Sequence, residues 1–199
     1  MVRTQNLRIC EIVAGAVNRV SEGEVIQLLN IHDTTVDEKR YIEVIERKTG
    51  VLFEAAARMA AVSAGADKAV EDAMAEYALC LGRAFQIIDD VLDYVGVSGN
   101  TGKNLGTDLR EGKMTMPLIY ALRNCSETDT ETIRNAISHS DPDLDAIIGI
   151  IKKTNAIESC ISAARNEVQN GIRQLDCLPS SAYKNSLIEL LSLTVERDS

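Results

Sequence analysis

Apolar side chains recur at helical spacing along almost the whole chain. From about Asn6 to Asn30 the positions Leu7, Ile9, Ile12, Val13, Val17, Val20, Val25, Leu28 and Leu29 predict a first amphipathic helix. The turn HDTTVDEK follows, with Thr35 or Asp37 placed to cap a second helix from about Asp37 to Ala64. Gly65-Ala66-Asp67 then breaks and restarts the chain. In the third helix, Val70, Met74, Tyr77, Leu81, Ala84, Ile88, Val91 and Val95 alternate steps of four and three and form one continuous stripe. At roughly 100° per residue, Gln86, Asp89, Asp90 and Asp93 fall opposite that stripe. Either this is the wet side of a surface helix, or the helix has no wet side. The second reading fits better, because Ala75, Leu79 and Gly82 occupy the same face upstream and Arg83 is the single charge in YALCLGRAFQII. A helix that is apolar all round is buried all round, so its carboxylates are expected to line an internal cleft.

After a loop, Thr115 is placed to cap a helix with Pro117 in its first turn. SETDTETIRNAI, DPDLDAIIGIIKK, the stretch from Ala156 to Leu175 and that from Ser180 to Val195 read as further short helices, with Asp141-Pro142 as a cap. No strand pattern and no internal repeat appears. The expected architecture is one all-α helical bundle over residues 1–199.

Composition narrows the class. Few prolines, no tryptophan and abundant Ala, Leu, Ile and Glu favour helix. A net charge of −9 argues against nucleic-acid binding, which needs a basic footprint. The five cysteines are scattered, with no C-x-x-C pair and no histidine beside them, so neither zinc nor a disulfide framework is expected. Reduced thiols fit a cytoplasmic protein. The first ten residues lack the apolar core of a signal peptide, and no run reaches membrane-spanning length.

The chemistry concentrates after the third helix. Asp89, Asp90 and Asp93 lie within about one helical turn and can converge on one point. Crowded carboxylates in a cleft repel one another and resist desolvation. An all-oxygen donor set favours Mg²⁺, which keeps part of its shell for water and phosphate, so a diphosphate is the expected ligand. The following loop carries Gly96, Gly99, Gly102, Gly106 and Gly112 with Lys103, Arg110 and Lys113 among them. Such glycines let backbone approach a ligand closely, or they mark a solvated surface loop. It is not a phosphate-binding Walker loop: Val97 stands where its first glycine belongs, and Asn104 follows Lys103.

The run FQIIDDVLDYVG, continued by TGKNLGTDLREGK, resembles the second aspartate-rich motif and trailing loop of the trans-polyprenyl diphosphate synthases. EGEVIQLLN and ERKTGVLFEAAARMAAVSAG resemble the preceding helices of that family, particularly in octaprenyl-type enzymes that make quinone side chains. The likeness is strong from Ala16 to Leu122 and loose in the last third. It implies the isoprenoid-synthase helical bundle and Mg²⁺ ions held by Asp89, Asp90 and Asp93. It implies that Lys48, Lys103 and Lys113 bind the allylic diphosphate, with Asp108 in support. Thr49 and Gln86 would face the allylic cation, and isopentenyl diphosphate would be the second substrate. Read by type alone, Lys48 is equally a solvated helix lysine, Thr49 a bond to its own helix, and Gln86 a core amide. Glu22, Glu24 and Gln27 stay outside this expected site.

No first aspartate-rich motif precedes EGEVIQLLN. The resemblance therefore implies a C-terminal half, a bundle incomplete at its N-terminus, with little or no synthase activity alone. Apolar surface on the first and third helices would then drive self-association, and the family resemblance itself implies a homodimer. Rival readings are a terpene or squalene synthase relative, and a non-catalytic helical subunit that partners a full synthase.

Overall fold

A computed structural model describes residues 5–95, 105–138 and 142–196. The helices are α1 (Leu7–Asn30), α2 (Glu38–Ile45), α3 (Val51–Ser63), α4 (Lys68–Val95), α5 (Thr107–Arg110), α6 (Met116–Asn124), α7 (Glu127–Ser138), α8 (Leu144–Lys153), α9 (Ala156–Gln174) and α10 (Ala182–Val195). Among the described residues there is no strand.

Helix starts follow side-chain chemistry. Asn6, Asp37, Asp67, Asp143 and Ser181 each accept a backbone N–H three residues on, which satisfies a donor that the first turn leaves without an intrahelical partner. The α8 cap is thus Asp143 rather than the expected Asp141, which lies outside the described residues. Thr115 precedes α6 as expected but makes no side-chain cap bond. Its side chain is buried and lines the cavity described below.

Helix α4 is the axis of the molecule, packed between α3 and α9, with α10 closing over its middle. Tyr77, Ala78, Cys80, Leu81, Gly82, Ala84, Ile87 and Ile88 are all buried, so this segment has no wet face, as its composition predicts. Its one charge, Arg83, bonds Glu167 at 2.7 Å, Glu76 at 2.6 Å and also Glu46. A second network ties α1 to α3 and α4: Arg58 reaches Glu54, Glu71 and Asp72, while Arg8 reaches Glu71 and Arg19 reaches Glu54. Glu54 and Glu71 are buried, and these arginines are what make that burial tolerable.

The expected single helix from Asp37 to Ala64 is in fact interrupted. Residues Glu46–Gly50 form a π-helical turn between α2 and α3. Two glycines clamp it. A Cβ on Gly23 of α1 would stand 2.8 Å from Lys48 N, and one on Gly82 of α4 would stand 2.8 Å from Gly50 Cα. Both neighbours are backbone, so neither can swing aside. A π turn inserts one extra residue and is found chiefly at functional sites. Here it carries Lys48 and Thr49.

Two substitutions test the clamp. Gly82→Ala gains about 1 kcal/mol of helix propensity but forces the π turn outward, at about 1–3 kcal/mol. The backbone clash outweighs the gain, so the urea midpoint falls. Gly15→Ala meets nothing within 4 Å on the exposed side of α1, so it raises stability by up to about 1 kcal/mol.

Candidate active site

A cavity of about 230 Å³ lies where the last turns of α4 meet α2, the end of α1, the π turn and segment 105–115. Lys48, Thr49, Gln86, Asp89, Asp90, Asp108 and Lys113 all line it. Seven of the residues singled out in the sequence are therefore brought together from three separate stretches of chain. Two are not. Asp93 is absent from the lining, and Lys103 lies outside the described residues.

Asp90 is the deepest acid, 6% exposed. Tyr41, buried on α2, donates its hydroxyl to Asp90 Oδ2 at 2.7 Å. Burial pushes the Asp90 carboxyl well above its ordinary value, and repulsion from Asp108, Asp89 and Asp93 adds to this against the Tyr41 bond. Burial likewise raises the Tyr41 phenol, reinforced by Asp90. Asp93 is raised by burial and by Asp108, against the N–H groups of Asp108 and Thr107 that bond to it. Opposing cations line the same space. Lys48 Nζ bonds Gln27 Oε1 at 2.7 Å and pairs with Glu24 at 3.4 Å. Lys113 Nζ pairs with Asp108 at 2.9 Å and with Glu111 at 2.6 Å. Burial lowers the Lys113 ammonium, but those two carboxylates outweigh it and hold it above its usual range.

Segment 105–113 is not a loose glycine loop. Gly106 and Gly112 both sit in the left-handed region, at φ 71°. Cβ atoms there would strike Leu144 Cδ1 at 2.5 Å and His32 Nδ1 at 2.2 Å. These two glycines turn the chain against protein rather than toward a ligand. Gly96, Gly99 and Gly102 lie outside the described residues.

Tyr41, Asn30, Gln27 and Thr115 also line the cavity without having been picked out as site residues. Gln27 could have been found from its place one turn before the α1 terminus, facing a lysine. Tyr41 gives no local signal, because an aromatic on an apolar helix face reads as core. Asn30 is held by Arg40, which donates to its Oδ1. Its buried Nδ2 has no hydrogen-bond partner among the described residues. A buried donor left unmade costs about 1–3 kcal/mol, which suits a cavity that receives a polar ligand.

The donor set is carboxylate, hydroxyl and amide oxygen with ammonium beside it. Among the described residues no three His, Cys, Asp or Glu side chains stand close enough to cage a metal by themselves. The chemistry of the acids nevertheless fits a hard divalent cation, whose remaining ligands are water and phosphate oxygen.

The fold places the chain among the isoprenoid synthases. It superimposes on polyprenyl synthase from Caulobacter crescentus, solved with calcium and isoprenyl diphosphate, with TM-score 0.94 and 36% identity over 100% of this chain and 62% of that one. Decaprenyl diphosphate synthase from Rhodobacter capsulatus gives TM-score 0.91 and 35% identity over 98% of this chain and 61% of that one. The family model described as polyprenyl synthetase matches residues 1–153, and the chain belongs to that family. Octaprenyl diphosphate synthase of Haemophilus influenzae is 38% identical over 100% of this chain. The chain spans 61% of that relative's length.

The expected half-chain reading, with a bundle incomplete at its N-terminus, is corrected by these matches. The family match begins at residue 1 and runs past Leu122 into the last third, and 98–100% of this chain superimposes on the two solved synthases, over 61–62% of theirs. The described helices also close on one another, α1 lying across α3 and the π turn.

Asp90 sets a pH dependence. Its folded pKa is raised, so the folded state holds the proton more tightly than the unfolded chain. Stability from this group is full below the unfolded value near 4 and falls as pH rises toward the raised folded value, by about 1.4 kcal/mol per pH unit across that window. Asp90→Asn keeps an acceptor for Tyr41 and removes the titration. Without divalent cations, the wild-type urea midpoint is therefore expected to fall between pH 5 and 8 relative to that of the Asn variant. Parallel midpoints would show that Asp90 ionises without penalty.

Proposed function

We propose that this protein is a trans-prenyltransferase that joins an allylic diphosphate to isopentenyl diphosphate. The observation that carries the reading is the convergence, in one cavity, of Asp89, Asp90 and Asp108 with Lys48 and Lys113 and with the oxygens of Thr49 and Gln86. Mg²⁺, when bound, supplies positive charge to the departing diphosphate. Asp89 and Asp90 would hold that cation. Lys48 and Lys113 stabilise the diphosphate as the allylic C–O bond breaks and its electron pair leaves with oxygen. Thr49 Oγ1 and Gln86 Oε1 direct oxygen dipoles at the allylic carbon where positive charge develops. The double bond of isopentenyl diphosphate then forms the new C–C bond, and a proton is lost from the adjacent carbon. Buried Tyr41 and Val36 help to exclude water, which would otherwise capture the cation.

An octaprenyl-type product for quinone side chains is the finer reading, supported by the octaprenyl relative. The five cysteines form no disulfide, and no helix of the described residues is long and apolar enough to cross a membrane.

Self-association belongs to the same reading, with one change of surface. Leu7, Val17, Val25, Leu28 and Leu29 expose an apolar face on α1, whereas on α4 the one large apolar side chain exposed is Val95 at its end. We assign a homodimer contact to α1. Val25→Lys with Leu29→Lys is expected to shift sedimentation toward monomer.

Calorimetry with farnesyl diphosphate tests the core of the proposal. Binding is expected to require Mg²⁺ and to weaken about tenfold in Asp89→Asn and in Lys113→Met, each removing one charge-assisted contact. Radiolabelled isopentenyl diphosphate should pass into longer, butanol-extractable products. Mg²⁺-independent binding, or none, would leave a helical scaffold in place of an enzyme.

A further inference from the structure

Asp93 is the third acid of the D-D-x-x-D run, yet it does not share the cavity with Asp89, Asp90 and Asp108. Its groups face the other way along the chain. Asp93 Oδ1 accepts Thr107 N–H and Oδ2 accepts Asp108 N–H, each at 3.1 Å, and its carbonyl accepts Gly106 N–H at 2.8 Å. Three consecutive backbone donors thus converge on one residue at the end of α4. The approach depends on the left-handed turn at Gly106, whose missing side chain admits Leu144. Asp108 follows at once. Its carboxylate lines the cavity and receives Lys113 Nζ at 2.9 Å, while Lys113 N–H donates to Asp108 O at 2.9 Å.

We infer that Asp93 is a positioning residue, which clamps segment 105–113 onto α4 and so sets Asp108 and Lys113 at the cavity, and that it does not ligate the cation. A carboxylate suits the task because its two oxygens accept two adjacent N–H groups. An amide accepts one and turns an NH₂ group toward the other. The nature of the ligand, a metal-bound diphosphate, rests on the transferase reading above, whereas the clamp is a property of the protein alone.

The test uses the full chain with two probes and one ligand-free measurement. Mn²⁺ alone is titrated by electron paramagnetic resonance, inorganic pyrophosphate with Mg²⁺ by calorimetry, and the amides of Thr107 and Asp108 are followed by hydrogen exchange. Asp93→Asn should leave Mn²⁺ affinity close to wild type while Asp89→Asn reduces it sharply. Asp93→Asn should weaken pyrophosphate about tenfold, the usual loss for an orienting partner, speed exchange at both amides, and add nothing further in a Lys113→Met background. Asp93→Ser, which keeps one acceptor, should fall between, and it carries the same comparisons if the Asn variant does not fold. Equal loss of Mn²⁺ in the Asp93 and Asp89 variants would overturn the proposal, because Asp93 would then be a ligand. So would unchanged pyrophosphate affinity in Asp93→Asn, with the transferase reading intact. A wild-type protein that binds no pyrophosphate in the presence of Mg²⁺ sinks the transferase reading, whereas unchanged exchange at both amides in Asp93→Asn overturns the clamp.

Discussion

A helix buried on every side that ends in carboxylates is the constraint on which the structure turns. The middle of α4 has no wet face, so α3, α9 and α10 must cover it and α2 must lie over its end. Once covered, Asp90 is 6% exposed, and its neighbours Asp89 and Asp108 are held at the same cavity. The protein answers with local devices: a buried tyrosine hydroxyl for Asp90, Lys113 for Asp108, and backbone N–H groups for Asp93. Burial and the neighbouring acids still push the Asp90 carboxyl up against the Tyr41 bond. Residual negative charge in an enclosed, oxygen-lined space is the physical reason to look for a cation there.

How legible was this in the sequence? The helices were, because their signals are local. The step-of-three-and-four stripe in α4, the cap at Asp37, and the break at Gly65 each depend on residues within a few positions of one another. The missed features depend on distant partners. The π turn at Glu46–Gly50 exists beside Gly23, twenty-odd positions earlier, and Gly82, thirty-odd positions later. Its own letters, ERKTG, read as ordinary helix. Tyr41 likewise becomes a site residue through Asp90 on another helix.

The D-D-x-x-D run shows the same division at finer scale. Helical spacing puts its three acids within about one turn of α4, but spacing cannot say what each carboxylate meets. Asp90 meets Tyr41, and Asp93 meets the backbone of Thr107 and Asp108. The glycines after it divide in the same way. Gly106 and Gly112 are needed for left-handed turns packed against Leu144 and His32, so their freedom is used to fix segment 105–113 rather than to loosen it.

Each described part of the cavity is therefore held by protein on its far side. Gly23 and Gly82 fix the π turn that carries Lys48 and Thr49, Tyr41 fixes Asp90, and His32 fixes Gly112 by donating its backbone N–H to the Gly112 carbonyl. Polar groups set in advance need not reorganise when charge develops on a ligand, which is where electrostatic catalysis draws most of its strength. Such rigidity has a cost, since the acids must sit close together before any cation arrives. The upward push on the Asp90 carboxyl expresses that cost. Protonation there would remove the repulsion without moving a helix.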